Sequence, residues 1–340
     1  MRSKISYHDA PLVLAHSELS KATALVARLL DGADTLIPEP PSDAVHREAL
    51  RQLVPRWHFA MLNDLGRNSL LQEAIENAVS PGDHVLDIGS GSGLLSMIAA
   101  RNGADLVTSC EVVRPLARAA SRVAADNGLA DVVHVLNCRS DELIVGIDLP
   151  RPADVIVTEI VDCGLVGEGV IPTMRHAREH LLKPGGVMIP HGARLIAAPL
   201  NSASIAQMNH VEYACGFDVS HFNEFASSRY FKVRLRAWKY QMLAAPQVVL
   251  ALDFVHDSLR PGEILVEFDV LHSGPCHGVA FWFELALDHK RVLSNEPSNE
   301  TTHWHQAFQG FREPLDLVAG TTLRLRLKHS DDLIHFAPSD

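Results

Sequence analysis

Between residues 84 and about 190, short apolar runs alternate with segments of helical spacing. Residues 85–88, 106–111, 132–136, 153–158 and 187–190 read as strands, and 94–101, 114–127 and 171–182 as helices. Strands without polar alternation are buried on both faces, so a mostly parallel sheet with helices on both sides is expected. Another amphipathic helix is predicted over 67–79, where Leu70, Leu71, Ala74, Ile75, Ala78 and Val79 form one stripe ended by Ser80-Pro81-Gly82. After about 191 the period becomes two. Residues 233–236, 264–271 and 322–328 alternate apolar with polar, which buries one face and predicts an antiparallel sandwich or barrel. A helical-looking insertion, roughly 201–226, interrupts this half early. Upstream, 17–31 has helical spacing, and the proline-rich stretch 36–43 cannot continue a helix and reads as a linker. The expected division is 1–44, 45–190 and 191–340.

Composition narrows the class. Of 340 residues 47% are hydrophobic and 21% charged, enough to fill a sizeable core. The most apolar stretch, 278–287, is too short to span a membrane and contains Glu284. Tyr7-His8-Asp9 cuts off the basic start before a signal-peptide core can form, so the cytoplasm is expected, with the nucleus open to a eukaryotic chain. Thirty basic against forty-one acidic side chains leave −11, which argues against holding nucleic acid by bulk charge. That balance suits a cationic partner, and equally plain solubility. The five cysteines, at 110, 138, 163, 215 and 276, are far apart without a Cys-x-x-Cys pair, so free thiols and no metal centre are expected.

Two loops carry candidate chemistry. Val85-Leu86-Asp87-Ile88-Gly89-Ser90-Gly91-Ser92-Gly93-Leu94 joins a strand to a helix, and its glycines allow a tight turn and close backbone approach to a ligand. Asp87 favours a cationic ligand, Gly93 departs from the dinucleotide spacing, and Glu111 ends the second strand where a carboxylate can accept both ribose hydroxyls. S-adenosylmethionine, with a sulfonium, an ammonium and a ribose but no phosphate, fits this set. A dinucleotide and a ligand-free turn are the alternatives.

The second loop, Thr158-Glu159-Ile160-Val161-Asp162-Cys163-Gly164-Leu165-Val166-Gly167-Glu168-Gly169, leaves the carboxyl end of a strand, the edge where open α/β sheets bind ligands. Glycines let it fold back and bring Glu159 and Glu168 together. Facing carboxylates are costly unless a cation lies between them or one is protonated, and a guanidinium's planar donors fill such a gap.

These two loops, with Thr302-His303-Trp304 and the domain order, resemble the protein arginine N-methyltransferases. Arg56-Trp57-His58-Phe59-Ala60-Met61-Leu62-Asn63-Asp64 and the double-glutamate loop lie closest to the family's non-histone branch, protein arginine N-methyltransferase nine. The likeness runs from about 45 to 330. It implies a class I methyltransferase (Rossmann-like) α/β domain, then an antiparallel β-barrel with a helical dimerisation arm at about 201–228. The implied activity is S-adenosylmethionine-dependent methylation of the guanidinium of a protein arginine. The alternatives are a class I methyltransferase acting on a small molecule or another side chain, and an inactive binding module.

The resemblance also implies roles. Arg67, with His58 nearby, pairs with the donor's carboxylate; Gly89 and Gly91 lie under the cofactor, Glu111 holds the ribose, and Asp141 reaches the adenine where the family usually has Glu. Glu159 and Glu168 grip the guanidinium, Met61 lines the reaction slot, His303 pairs with Asp64, and Trp304 walls the arginine channel. Either Glu168 or the His303–Asp64 pair takes the proton. The family's two-tyrosine segment is not evident before Trp57. The branch's tetratricopeptide repeats and second methyltransferase-like module are absent, which makes a homodimer the expected assembly.

Overall fold

The computed structural model describes residues 54–339. The expected helix over 17–31 and the linker over 36–43 lie outside them. The described chain begins with α1 (Trp57–Leu62) and α2 (Leu65–Ala78). α2 starts two residues before the expected 67 because the Asp64 carboxylate accepts from Arg67 N at 3.0 Å and caps it. Helices α3 (Leu94–Arg101) and α4 (Arg114–Asp126) then alternate with β1 (His84–Ile88), β2 (Leu106–Cys110), β3 (Val133–Leu136) and β4 (Ala153–Thr158). Every residue of β1 and β4 is buried, as strands covered by helices on both faces require.

The five-stranded parallel sheet has the order β3-β2-β1-β4-β5, with β5 spanning Leu182–Ile189. The chain winds one way from β1 and the other way from β4, so the crevice over the carboxyl ends of β1 and β4 is a topological switch point. The helix expected over 171–182 is α-helical only as α5 (Val170–His176). A wider turn, Ala177–Leu181, follows it, and β5 therefore starts earlier than the apolar run 187–190 suggests.

β6 (Gly192–Asn201) leads into the antiparallel half. The stretch 201–226 is mostly not helical. One turn, α6 (Ala203–Ala206), precedes a two-stranded hairpin of β7 (Tyr213–Ala214) and β8 (Phe217–Asp218), then a tight turn Ser220–Phe225. Cys215 and Gly216, with φ of 52° and 86°, sit at the hairpin tip, where a two-residue loop needs positive φ. β9 (Phe231–Val233) stops before Arg234, and Leu235–Ala237 turn away, so the alternating run 233–236 is not one strand. The rest are β10 (Gln241–Met242), β11 (Gln247–Asp253), β12 (Gly262–Asp269), β13 (Gly274–Ala286), β14 (Val292–Ser294), β15 (Gln306–Leu317), β16 (Thr322–His329) and β17 (Ile334–Pro338).

A seven-stranded sheet follows the path β10-β6-β13-β15-β9, with β11 on β6 and β14 on β13. A three-stranded sheet has the order β12-β16-β17. One continuous apolar core joins the two halves, from Leu71 and Ile75 of α2 through Val161, Leu165 and Val166 to Phe281, Phe283 and Trp304. The double-glutamate loop thus runs through the interface between halves, and its backbone is gripped from the antiparallel side.

Candidate active site

A cavity of about 1180 Å³ opens over the carboxyl ends of β1, β2 and β4 and extends under the antiparallel half. Its floor is the glycine turn. Gly89 and Gly91 have φ of 80° and 53°; a Cβ on Gly89 would stand 2.6 Å from Ile160 Cγ2, whereas one on Gly91 would project into open space. Gly93 (φ 80°) starts α3 away from the cavity, where a Cβ would meet Ala120 Cβ at 3.3 Å, so it serves helix packing.

Glu111, just beyond β2, is almost fully buried and lines the cavity. Its Oε2 accepts from Gly91 N (3.0 Å) and its Oε1 from Val113 N (2.8 Å). A carboxylate therefore occupies the N–H that a pyrophosphate would need, which disfavours a dinucleotide and leaves lone pairs suited to hydroxyl donors. This donor set, above an apolar wall including Leu116, fits the ribose and adenine of S-adenosylmethionine. Asp141 is at the cavity edge, held bidentately by Arg139 (2.9 Å each), and that guanidinium keeps its pKa below the usual range.

Asp87 differs from expectation. It is fully buried away from the cavity lining; its Oδ2 accepts from Ser96 N (3.1 Å) and Ser96 Oγ (2.5 Å), tying β1 to α3, while Oδ1 has no partner. Burial raises this carboxyl to about 6. Its hydrogen bonds go to Ser96 on the helix, and it is not among the residues that line the cavity.

The double-glutamate loop is organised around Asp162. Its Oδ1 accepts from Gly164 N (3.1 Å) and Gly167 N (3.0 Å), and its Oδ2 accepts from the Tyr230 hydroxyl (2.8 Å). A Cβ at Gly164 would lie 2.5 Å from the Tyr230 ring, and one at Gly167 would lie 2.5 Å from Asp162 Oδ2. The glycines are thus required by this tight fold-back, which brings both Glu159 and Glu168 to the cavity wall. Burial, then the charges of Glu159 and Asp162, push Glu168 up to about 7. Burial also raises Glu159, against the pull of Arg67.

Arg67 is not in the cavity lining. Its Nε (2.9 Å) and Nη2 both bond Glu159 Oε2, and its Nη1 bonds Asn68 Oδ1 (2.8 Å). Its Cζ stands 6.0 Å from the Trp304 ring centroid. Read from sequence as the partner of the donor's carboxylate, it is here the buried counter-ion of Glu159.

From the antiparallel half, His303 N and His303 Nδ1 both reach Asp64 Oδ2 at 2.9 Å. Burial would raise Asp64, but the Arg67 N–H and the His303 bonds prevail and lower it. Burial lowers His303 despite Asp64. The imidazole is therefore neutral near pH 7, and with Nδ1 donating to ionised Asp64, Nε2 is an acceptor. Trp304 Nε1 donates to Val161 O (3.3 Å), its ring packs edge-on to Phe283, and Met61 and His58 complete one wall. His58 stacks on Trp57 at 3.8 Å. Cavity residues not singled out from sequence include His176, Tyr230, Lys232 and Arg234. The mark that Tyr230, Lys232 and Arg234 leave in the sequence is period-two spacing, which strands of any function share.

The parallel sheet, the glycine turn and Glu111 define a methyltransferase of the S-adenosylmethionine-binding class. Comparisons with known proteins go further. A family model described as the arginine methyltransferase oligomerization subdomain matches residues 191–336, and one for ribosomal protein L11 methyltransferase (PrmA) matches 68–196. The chain is 42% identical over 329 residues to an arginine N(omega)-methyltransferase of Streptomyces achromogenes subsp. streptozoticus, covering 95% of this chain and 91% of that protein. It is 31% identical over 289 residues to protein arginine N-methyltransferase 9 of Xenopus laevis, covering 75% of this chain, and 28% identical over 320 residues to protein arginine N-methyltransferase 7 of Drosophila grimshawi, covering 81%. It spans only 35% and 46% of those two proteins.

The fold is shared with a Trypanosoma brucei PRMT1 enzyme–prozyme heterotetrameric complex with AdoHcy (TM-score 0.69, 23% identity, 80% of this chain and 86% of that one). It is also shared with Arabidopsis thaliana protein arginine methyltransferase 10 (TM-score 0.66, 22% identity, 84% and 88%). This chain belongs to the protein arginine N-methyltransferase family.

Proposed function

We propose that the chain transfers a methyl group from S-adenosylmethionine to a guanidinium nitrogen of arginine, the acceptor the family implies being an arginine of a protein or peptide. One observation carries the reading: two glutamates at the two ends of one Asp162-organised loop face a single cavity. When bound, the donor supplies an electrophilic methyl on a sulfonium. Glu159, kept in place by Arg67, and Glu168 hold the acceptor's two non-reacting nitrogens and draw its positive charge toward them. The attacking nitrogen is left more nucleophilic. Two neutral-pH acceptors stand ready for the released proton, Glu168 and His303 Nε2. Met61 and Trp304 exclude water from the slot, Glu111 binds the ribose, and Asp141 the adenine edge. The test is mass spectrometry of arginine acceptors incubated with isotopically labelled donor, for the wild type and for Glu159→Gln. Unlabelled acceptor throughout, or undiminished labelling in the variant, defeats the proposal.

The same reading makes the chain a cytoplasmic homodimer. Its support is the 201–228 segment, where Tyr213, Phe217, Phe222 and Phe225 are each at least two-thirds exposed. So large an apolar patch favours a protein partner. Sedimentation of a fully active monomer at micromolar concentration would remove it.

A further inference from the structure

Two basic side chains on the cavity wall come from β9 and the residue after it. β9 pairs antiparallel with β15, Lys232 opposite Ala307 and Val233 opposite Gln306. Alternation buries Val233, and Leu235 beyond it, in a small core with Phe308, and turns Lys232 and Arg234 to the other face. Both line the cavity that holds Glu159 and Glu168, together with His303 and His305. Neither Lys232 nor Arg234 forms an ion pair among the described residues; Arg234 makes only a long bond to His303 O (3.4 Å). By contrast Arg139, the other basic side chain on the wall besides the histidines, is spent on Asp141. In a chain of net charge −11, two cations on the wall of a partly enclosed cavity with no acidic partner among the described residues favour an anionic group there.

We infer that Lys232 and Arg234 form a carboxylate subsite of the acceptor pocket, so that the acceptor carries a guanidinium for Glu159 and Glu168 at one end and a carboxylate for these cations at the other. The molecule of that description is arginine with its α-carboxylate free, either the amino acid itself or the last residue of a peptide. An arginine inside a chain has an amide in that place and leaves both cations unpaired. The inference rests on guanidinium methylation proposed above, and names its substrate class.

Steady-state kinetics with S-adenosylmethionine tests it on four acceptors: free arginine, argininamide, a short peptide ending in arginine, and the same peptide amidated. Replacing the carboxylate by an amide is expected to lower kcat/KM about 10- to 100-fold, mainly through KM, since the lost contacts are charge-assisted. In Lys232→Gln and Arg234→Gln that ratio falls toward one, and Arg234→Lys restores it in part, which a merely structural role would not do. Free arginine preferred over the carboxyl-terminal peptide identifies the amino acid as the source; the reverse identifies peptide ends. Equal use of acid and amide acceptors by the wild type, or an unchanged ratio in both Gln variants, overturns the carboxylate subsite while guanidinium methylation stands. No methylation of any acceptor overturns both.

Discussion

Replacing Glu168 by Gln separates stability from catalysis. Its carboxyl is pushed from 4.5 up to about 7 by burial and by the neighbouring charges of Glu159 and Asp162. Between those values the folded chain holds a proton that the unfolded chain has released, so stability falls as pH rises through this window and is lowest above it. The full rise corresponds to ~3.4 kcal/mol. The side chain is open to solvent at the cavity, however, and screening reduces the expected figure to about 1–2 kcal/mol. Glu168→Gln keeps the shape and removes the charge. At pH 8 it should raise Tm by about 2–8 °C, taking about 2–4 °C per kcal/mol as typical of large domains, and the gain should largely vanish at pH 5. Methyl transfer should meanwhile drop by about 10²-fold or more. Differential scanning calorimetry of both proteins at pH 5 and 8 decides it. A variant no more stable than wild type at pH 8, or a gain equal at both pH values, refutes the electrostatic account of this loop.

The other perturbations act through named contacts. Glu159→Gln leaves the Arg67 guanidinium buried without its counter-charge and should cost about 3 kcal/mol, read from urea unfolding, alongside the loss of transfer; unchanged stability contradicts the pairing. Asp64→Asn keeps the α2 cap, because Asn caps as well as Asp, but withdraws the charge that orients His303. About a 10-fold lower turnover at unchanged donor affinity is expected from kinetics and calorimetry, and wild-type turnover would dismiss the pair. Because Asp64 is lowered in the folded chain, its contribution to stability holds above about pH 4 and is lost as pH falls further. Tyr230→Phe deletes one hydrogen bond to a carboxylate and should cost about 2 kcal/mol and slow turnover by loosening the loop; a variant with unchanged Tm and turnover would show that the hydroxyl does not hold it.

The sequence by itself determined the parallel half almost strand for strand, because β1 and β4 are buried on both faces and mostly apolar, and α3 is bounded by Gly93 and the Asn102-Gly103 stop. It also marked Glu111 and Glu159, each just past a strand's carboxyl end, and Glu168, nine residues from Glu159 in a loop jointed by glycines. Tertiary structure decided what those groups touch. Arg67 and Asp87 are polar residues whose partners lie far along the chain or on the next helix, so no local pattern told that one answers Glu159 and the other Ser96. The arm's hairpin and turns resembled a helix because its apolar residues serve an outward face instead of a core. Tyr230, Lys232 and Arg234 look like any alternating edge strand until β9 is laid beside β15. Burial is written in composition and period, whereas the pairing of charges is set only when distant segments meet.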